Sequence, residues 1–331
     1  MQLTQKKSRR GDLLTAAAVA MLLAVMAALL YTGSLTRQVT NMLIPTAVYI
    51  VMAVSLNLVV GLLGELSLGH AGFMSVGLFS GCLVAIALTN TALPLMVRLP
   101  VSMLAGGLTA AVFGLLVGLP TLRLRGDYLA IVTLACGEII KNIITNLRVT
   151  GGALGLNTTA IYAGAKELLP YGAALVMLTV AVMLNLKRSK YGRAIMAIRD
   201  NRIAAESVGL SVTRYKLAVF VIAAFFAGCA GVLYGHSLAN IKAAAFDYNM
   251  SIEILVIVVL GGMGSVPGSV VSAIVLTVLP EALREVADYR MLVYAVVLIL
   301  VMQATNNPAM KRFFGAACKS LTPKRKERAA L

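Results

Sequence analysis

A succession of about eight apolar runs, most of them near twenty residues and separated by short polar connections, constrains this chain more than any other feature. The runs cover about residues 13–31, 42–63, 70–89, 100–119, 128–147, 168–186, 217–236 and 291–305. A helix needs about 20 mostly apolar residues to cross a hydrocarbon core of roughly 30 Å, and inside lipid it satisfies every backbone polar group from its own length. The last run is the shortest and needs a further turn at either end to span. A ninth apolar region, 252–280, contains GGMGSVPG at Gly261–Gly268. Its glycines and proline predict a broken helix. The expected fold is an all-α polytopic membrane protein with about 8 transmembrane helices plus a re-entrant helix pair at 252–280. It has a basic N-terminal segment at 1–12, a membrane domain at 13–305 with a charged loop at 187–216, and a basic tail at 306–331. Composition agrees: of 331 residues 60% are hydrophobic and only 13% charged.

The net charge of +16 would suit a nucleic-acid partner, but the positions of the charges point to a lipid bilayer instead. If 252–280 enters and leaves on one side, 21 of the 29 Lys and Arg residues share a compartment. They are Lys6 to Arg10, Arg123 and Arg125, the group between Lys187 and Lys216, and the tail from Lys311 to Arg328. Seven others fall opposite, and Lys141 lies within a span. The positive-inside rule makes the rich side cytoplasmic and places both termini there. Counting 252–280 as one crossing would put the basic tail outside. The first run is long for a signal core and no clear cleavage site follows, so an uncleaved span is expected. Cys82, Cys136, Cys229 and Cys318 have no paired spacing and read as small apolar residues.

No G-x-x-x-x-G-K-[ST] occurs, so any ATP-driven function must borrow its motor. His70 and His236 lack metal-ligand spacing, and no G-x-S-x-G is present. An enzyme with its own active site, and a cofactor, are not expected.

The stretch GRAIMAIRDNRIAAESVGLSVTRYK, Gly192 to Lys216, is a charged helix-former between two apolar runs. Asp200 or Asn201 is a good N-cap, Gly209 a good left-handed terminator, and Ser211 can cap the next helix. A helix this short is marginal in water without a docking surface. It is either a solvated loop that obeys the charge rule or a docking lever. As a lever, Ala204 and Ala205 admit a partner closely while Arg199, Asp200, Arg202 and Glu206 supply charge at the rim.

The run from Ser189 to Gly235 resembles the coupling region of ABC importer permeases, built around a Glu-Ala-Ala type motif followed by glycine. More narrowly, it is similar to the permeases of high-affinity branched-chain amino-acid importers. NLVVGLLGELSLGHAGFMSVG (Asn57–Gly77), LRLRGDYLAIVTLACGEIIKNIITN (Leu122–Asn146), TGGALGL (Thr150–Leu156) and VVLGGMGSVPG (Val258–Gly268) extend the match over about residues 40–305. Of that importer's two permeases, the longer, M-type subunit fits better. Here the glutamate, Glu206, follows Ala204 and Ala205, an order that suits this family and departs from the general importer pattern. The resemblance implies a permease subunit in a bacterial cytoplasmic membrane, carrying leucine, isoleucine and valine. Its implied partners are a second homologous permease, two cytoplasmic ABC ATPases and an extracytoplasmic substrate-binding protein. Urea, short amides or nucleosides are alternatives within the class. An ion-coupled secondary transporter is the alternative outside it.

Two polar features inside the apolar runs need a reason. GELSLGHAGF, Gly64–Phe73, is either a tight turn between close-packed helices or an unwound segment beside a polar path, which Asn57, Ser67 and His70 would line. Glu138 and Lys141, three apart on one helix face, are either a mutually neutralising pair or place Glu138 at the path or at a partner seam. Pairs at Gly77 and Gly81, Gly114 and Gly118, and Gly231 and Gly235 predict close helix crossings.

Overall fold

The computed structural model describes residues 2–32, 36–89, 94–122, 124, 126–282 and 299. Contacts divide the chain into two compact units, Met1–Val278 and Leu279–Leu331. The expected span at 291–305 and the tail at 306–331 lie outside the described residues, apart from Ile299.

The apolar runs become helices: α1 (Gln2–Tyr31), α2 (Arg37–Asn57), α3 (His70–Thr89), α4 (Leu95–Thr121), α5 (Asp127–Asn146) and α6 (Ala165–Arg188). The charged loop forms α7 (Lys190–Asp200) and α8 (Arg202–Ser207), followed by α9 (Val212–His236), α10 (Tyr248–Gly261) and α11 (Val266–Ala282). Among the described residues, seven helical segments are long and apolar enough to cross a membrane, which makes this a multi-pass membrane protein. Six coincide with expected runs. The seventh, Ala243–Gly261, joins a single 3-10 turn to α10 and was expected to be half of a re-entrant pair. The expected span at 13–31 lies within α1, whose described side chains form the apolar stretch Thr15–Tyr31.

The α2 helix continues through a π-helical turn at Leu58–Leu63, and this combined rod is the centre of the molecule, 89% buried over its most apolar window. By the same measure α5 is 28% buried and lies at the periphery. Around α2, the helices α3, α4 and α9 pack on one another through glycine. A Cβ at Gly77 would sit 2.2 Å from Gly228 Cα, one at Gly106 2.4 Å from the Gly77 carbonyl oxygen, and one at Gly231 2.3 Å from the Met74 carbonyl oxygen. Lipid offers little hydrophobic drive for association, so helices adhere where small residues let backbones touch. Each of the three expected glycine pairs lies at such a crossing.

The apolar region at 252–280 is broken as expected. α10 stops at Gly261 and α11 begins at Val266, with Gly262 (φ 88°) and Gly264 (φ 81°) turning the chain in a conformation that favours glycine. Away from this break, Leu156–Asn157 (β1) pairs antiparallel with Asn240–Ile241 (β2), tying the α5–α6 connection to the α9–α10 connection.

Candidate functional site

The charged loop is built by local capping. Ser189 Oγ accepts from Gly192 N at 3.0 Å and starts α7. Asn201 leaves helical geometry, ending α7, and its Oδ1 accepts from Ala204 N at 3.0 Å to start α8. Gly209, at φ 86°, turns the chain out of α8, and Leu210 N donates to the Ala205 carbonyl at 3.1 Å. Ser211 stands at the N-cap of α9, but its side chain makes no capping bond.

At six residues, α8 cannot hold itself together and is held by its neighbours. Ala205 packs inward with Ile198 and Val212, so it anchors the helix instead of lining its outer face. Ala204 is exposed, as are Ile203 (80%) and Val208 (81%). Arg202 and Glu206 pair across one turn at 2.8 Å, and Arg199 pairs with Asp200 at 3.0 Å. The outward surface of α8 is therefore apolar at its centre and charged at its edge.

The loop also grips the two places where membrane helices are interrupted. Arg199 Nη1 donates to the Gly61 carbonyl at 3.0 Å, within the π-turn at the end of α2. Lys187 Nζ donates to the Gly264 carbonyl at 2.8 Å, in the break between α10 and α11. Lys216 of α9 forms an ion pair with Glu65. Irregular backbone leaves carbonyls without helical partners, and charged donors satisfy them at about 1.5–3 kcal/mol each. The interruptions also grip each other. Asn57 Nδ2 donates to the Ser265 carbonyl (3.2 Å) and to Ser269 Oγ (2.8 Å), while Asn57 Oδ1 accepts from Gly264 N (2.7 Å). Gly61 is required here, since a Cβ would meet Gly264 N at 2.2 Å.

Between Gly64 (φ 78°) and His70 the chain has no regular structure. Leu68 N donates to Thr133 Oγ1 of α5 at 3.0 Å, and Ala71 N to Ser251 Oγ of α10 at 3.2 Å. His70 Nε2 lies 2.9 Å from Ser55 Oγ, two residues before Asn57 on α2. Ser67 is buried, and its Oγ has no partner among the described residues. The segment is irregular and also lies close against α5, where a Cβ at Gly69 would meet the Thr133 carbonyl oxygen at 2.6 Å. Asn57 and His70 thus have separate partners, Asn57 at the α10–α11 break and His70 at Ser55. Glu138 lies at the other end of α10, where one oxygen pairs with Lys141 and the other accepts from Tyr248 N at 3.0 Å. Both oxygens of Glu138 are therefore engaged.

The sequence argument overlooked one group. Glu253, in the run YNMSIEILVIVVL, accepts a hydrogen bond from Tyr49 OH at its Oε2 (3.3 Å) and has no ion pair among the described residues. Its signal was present: a single acid within an apolar run. The glycines that follow drew the reading to the break instead.

The sequence matches the family described as the permease component of branched-chain amino acid transport systems over residues 38–302. It is 37% identical over 290 residues to the high-affinity branched-chain amino acid permease LivM of Escherichia coli, covering 78% of this chain and 66% of that protein. It is 36% identical over 296 residues to LivM of Salmonella typhimurium, with the same coverage. The chain thus spans just under two thirds of the length of these relatives. A shorter similarity, 30% over 126 residues, relates it to the permease LivH of Escherichia coli, covering 37% of this chain and 40% of that protein. No solved structure matches it. With most of its length, broken helices included, inside the matched region, the chain belongs to the family of branched-chain amino acid transport permease components.

Proposed function

We propose that this chain is a permease subunit of an ATP-binding-cassette importer and passes leucine, isoleucine and valine across the cytoplasmic membrane of a bacterium. The observation that carries this reading is the grip of the charged loop on interrupted helices, from Arg199 to Gly61 and from Lys187 to Gly264. A cytoplasmic ATPase docked on Ile203, Ala204 and Val208, with Arg202 and Glu206 at the rim, would push on α8. Through Ala205 and α7 that push reaches the backbone on which Asn57 and the α10–α11 break are held. Switching elements of this kind need irregular backbone buried against protein, and these two segments supply it.

The similarity to both LivM and LivH supports a second, related permease as partner. Two ATPases complete the motor, and an extracytoplasmic binding protein holds most of the selectivity. The charge distribution supports a cytoplasmic location for the termini and for 187–216. The α10–α11 break, in contact with Lys187, then lies toward the cytoplasm, and 252–280 enters and leaves from outside.

The test is ATP-dependent leucine uptake by this chain, expressed with the permease, ATPases and binding protein encoded beside it. Co-purification of the ATPases and loss of uptake on ATP depletion are expected. Uptake that survives ATP depletion and follows a proton or sodium gradient would replace the importer with a secondary transporter.

A further inference from the structure

Among the acids of the described spans that have no ion pair, Glu253 lies deepest: Asp127, Glu167 and Asp247 stand within the first five residues of their segments. Glu138 has a cation and a backbone amide, and Glu65 has Lys216. Glu253 has the Tyr49 hydroxyl on Oε2, while Oε1 has no protein donor among the described residues. Its depth is set by Tyr49, the thirteenth residue of the 27-residue segment Arg37–Leu63 and so close to the middle of a span. An ionisable group at that depth costs about 2.5–3.5 kcal/mol on insertion scales, and such groups face a bundle interior or a wet cavity.

Glu253, Tyr49 and Tyr234 come from α10, α2 and α9, and all three are half-buried, whereas Val48, Ile50, Leu233 and Ile254 beside them in sequence are buried. Phe246 stands edge-on to Tyr234, with ring centroids 6.4 Å apart, and closes the wall with apolar surface.

We infer that Glu253, held by the Tyr49 hydroxyl, receives the ammonium group of an amino acid in transit. This inference rests on the proposed function and deepens it. An ammonium entering the span loses the water that accepted its three hydrogen bonds. Glu253 Oε1, which has no protein donor among the described residues, replaces one of those acceptors with a charged one. The aliphatic side chain, which differs among leucine, isoleucine and valine, is left to the apolar wall. Glu253 thereby recognises what the substrates share.

The test is uptake of labelled leucine, isoleucine and valine by cells that lack their own branched-chain import and express the complete transporter. Glu253→Gln keeps an oxygen for Tyr49 and removes the charge, so a purely structural role would leave uptake at the wild-type rate. We expect Glu253→Gln to lower uptake of all three substrates at least tenfold and by a common factor, with normal abundance in the membrane, and Glu253→Asp to retain more than Glu253→Gln. Wild-type uptake in Glu253→Gln overturns the inference and leaves the proposed function standing. Should Glu253→Gln fail to reach the membrane, Glu253→Asp and Tyr49→Phe decide: reduced uptake at normal abundance supports the inference, and wild-type uptake in both overturns it. A wild-type transporter that imports no branched-chain amino acid overturns the proposed function and this inference with it.

Discussion

Replacing Gly61 by alanine should uncouple the loop from the membrane helices while leaving each helix intact. The new Cβ would lie 2.0 Å from Asn57 Oδ1, 2.2 Å from Gly264 N and 2.7 Å from Gly264 Cα. Ordinary contact begins near 3.4 Å, so the two backbones must part by about 1 Å. Overpacking of this kind costs about 1–3 kcal/mol. The separation also stretches the Gly264 N to Asn57 Oδ1 bond from 2.7 Å and disturbs the two bonds from Asn57 Nδ2. At about 1 kcal/mol for each bond lost, losing one or two brings the total to roughly 2–5 kcal/mol. Melting in detergent and uptake in cells read the two consequences separately. We expect a lower melting temperature for Gly61→Ala and a larger fall in uptake, with ATPase still co-purifying because α8 is untouched. Gly164→Ala is the control, since a Cβ there meets nothing within 4 Å. If Gly61→Ala melts and transports as wild type does, the close approach of Gly61 and Gly264 plays no part in coupling.

Gly209→Val should place a branched residue at φ 86°, at a strain of about 1–3 kcal/mol, and misdirect α8; membrane insertion should persist while ATPase co-purification and uptake fall, and normal uptake would remove the loop from the mechanism. Cysteines introduced at Lys6 and Lys324 should both resist an impermeant thiol reagent applied to intact cells, and labelling at Lys324 alone would make 252–280 a full crossing. The permease pair without its binding protein should bind leucine no tighter than about millimolar, roughly 4 kcal/mol, because the spans offer only scattered polar points; micromolar binding by calorimetry would place a specificity site in the permease itself.

Features that depend on near neighbours were legible in the sequence. The apolar runs predicted helices because the bilayer demands internally bonded backbone over a fixed length. Asn201 and Gly209 predicted the ends of α8, since capping acts across three or four residues. GGMGSVPG predicted the break, as glycine and proline disfavour a helix wherever they fall. The sequence also paired Glu138 with Lys141, one turn apart, but left the pair's function open. Tertiary packing adds a further donor, Tyr248 N, to the second Glu138 oxygen. It also turned Ala205 inward, since the face a six-residue helix buries depends on what it lies against.

The grip of Arg199 on Gly61 joins positions 138 residues apart, and that of Lys187 on Gly264 joins positions 77 apart. A backbone carbonyl becomes a site for a cation only when its helix is interrupted and the cation is delivered by another element. Both conditions are set by how the helices pack. Glu253 follows the same logic. Its presence in an apolar run was visible in the sequence, but whether it meets a lysine or only a tyrosine hydroxyl depends on which helices surround α10. The sequence by itself determined where the chain could enter lipid and where its helices had to stop, because those are local demands of solvent and backbone. Only the tertiary structure decided which interrupted segments touch and which mid-span acid meets only a tyrosine hydroxyl, because those depend on side chains brought together from distant parts of the chain.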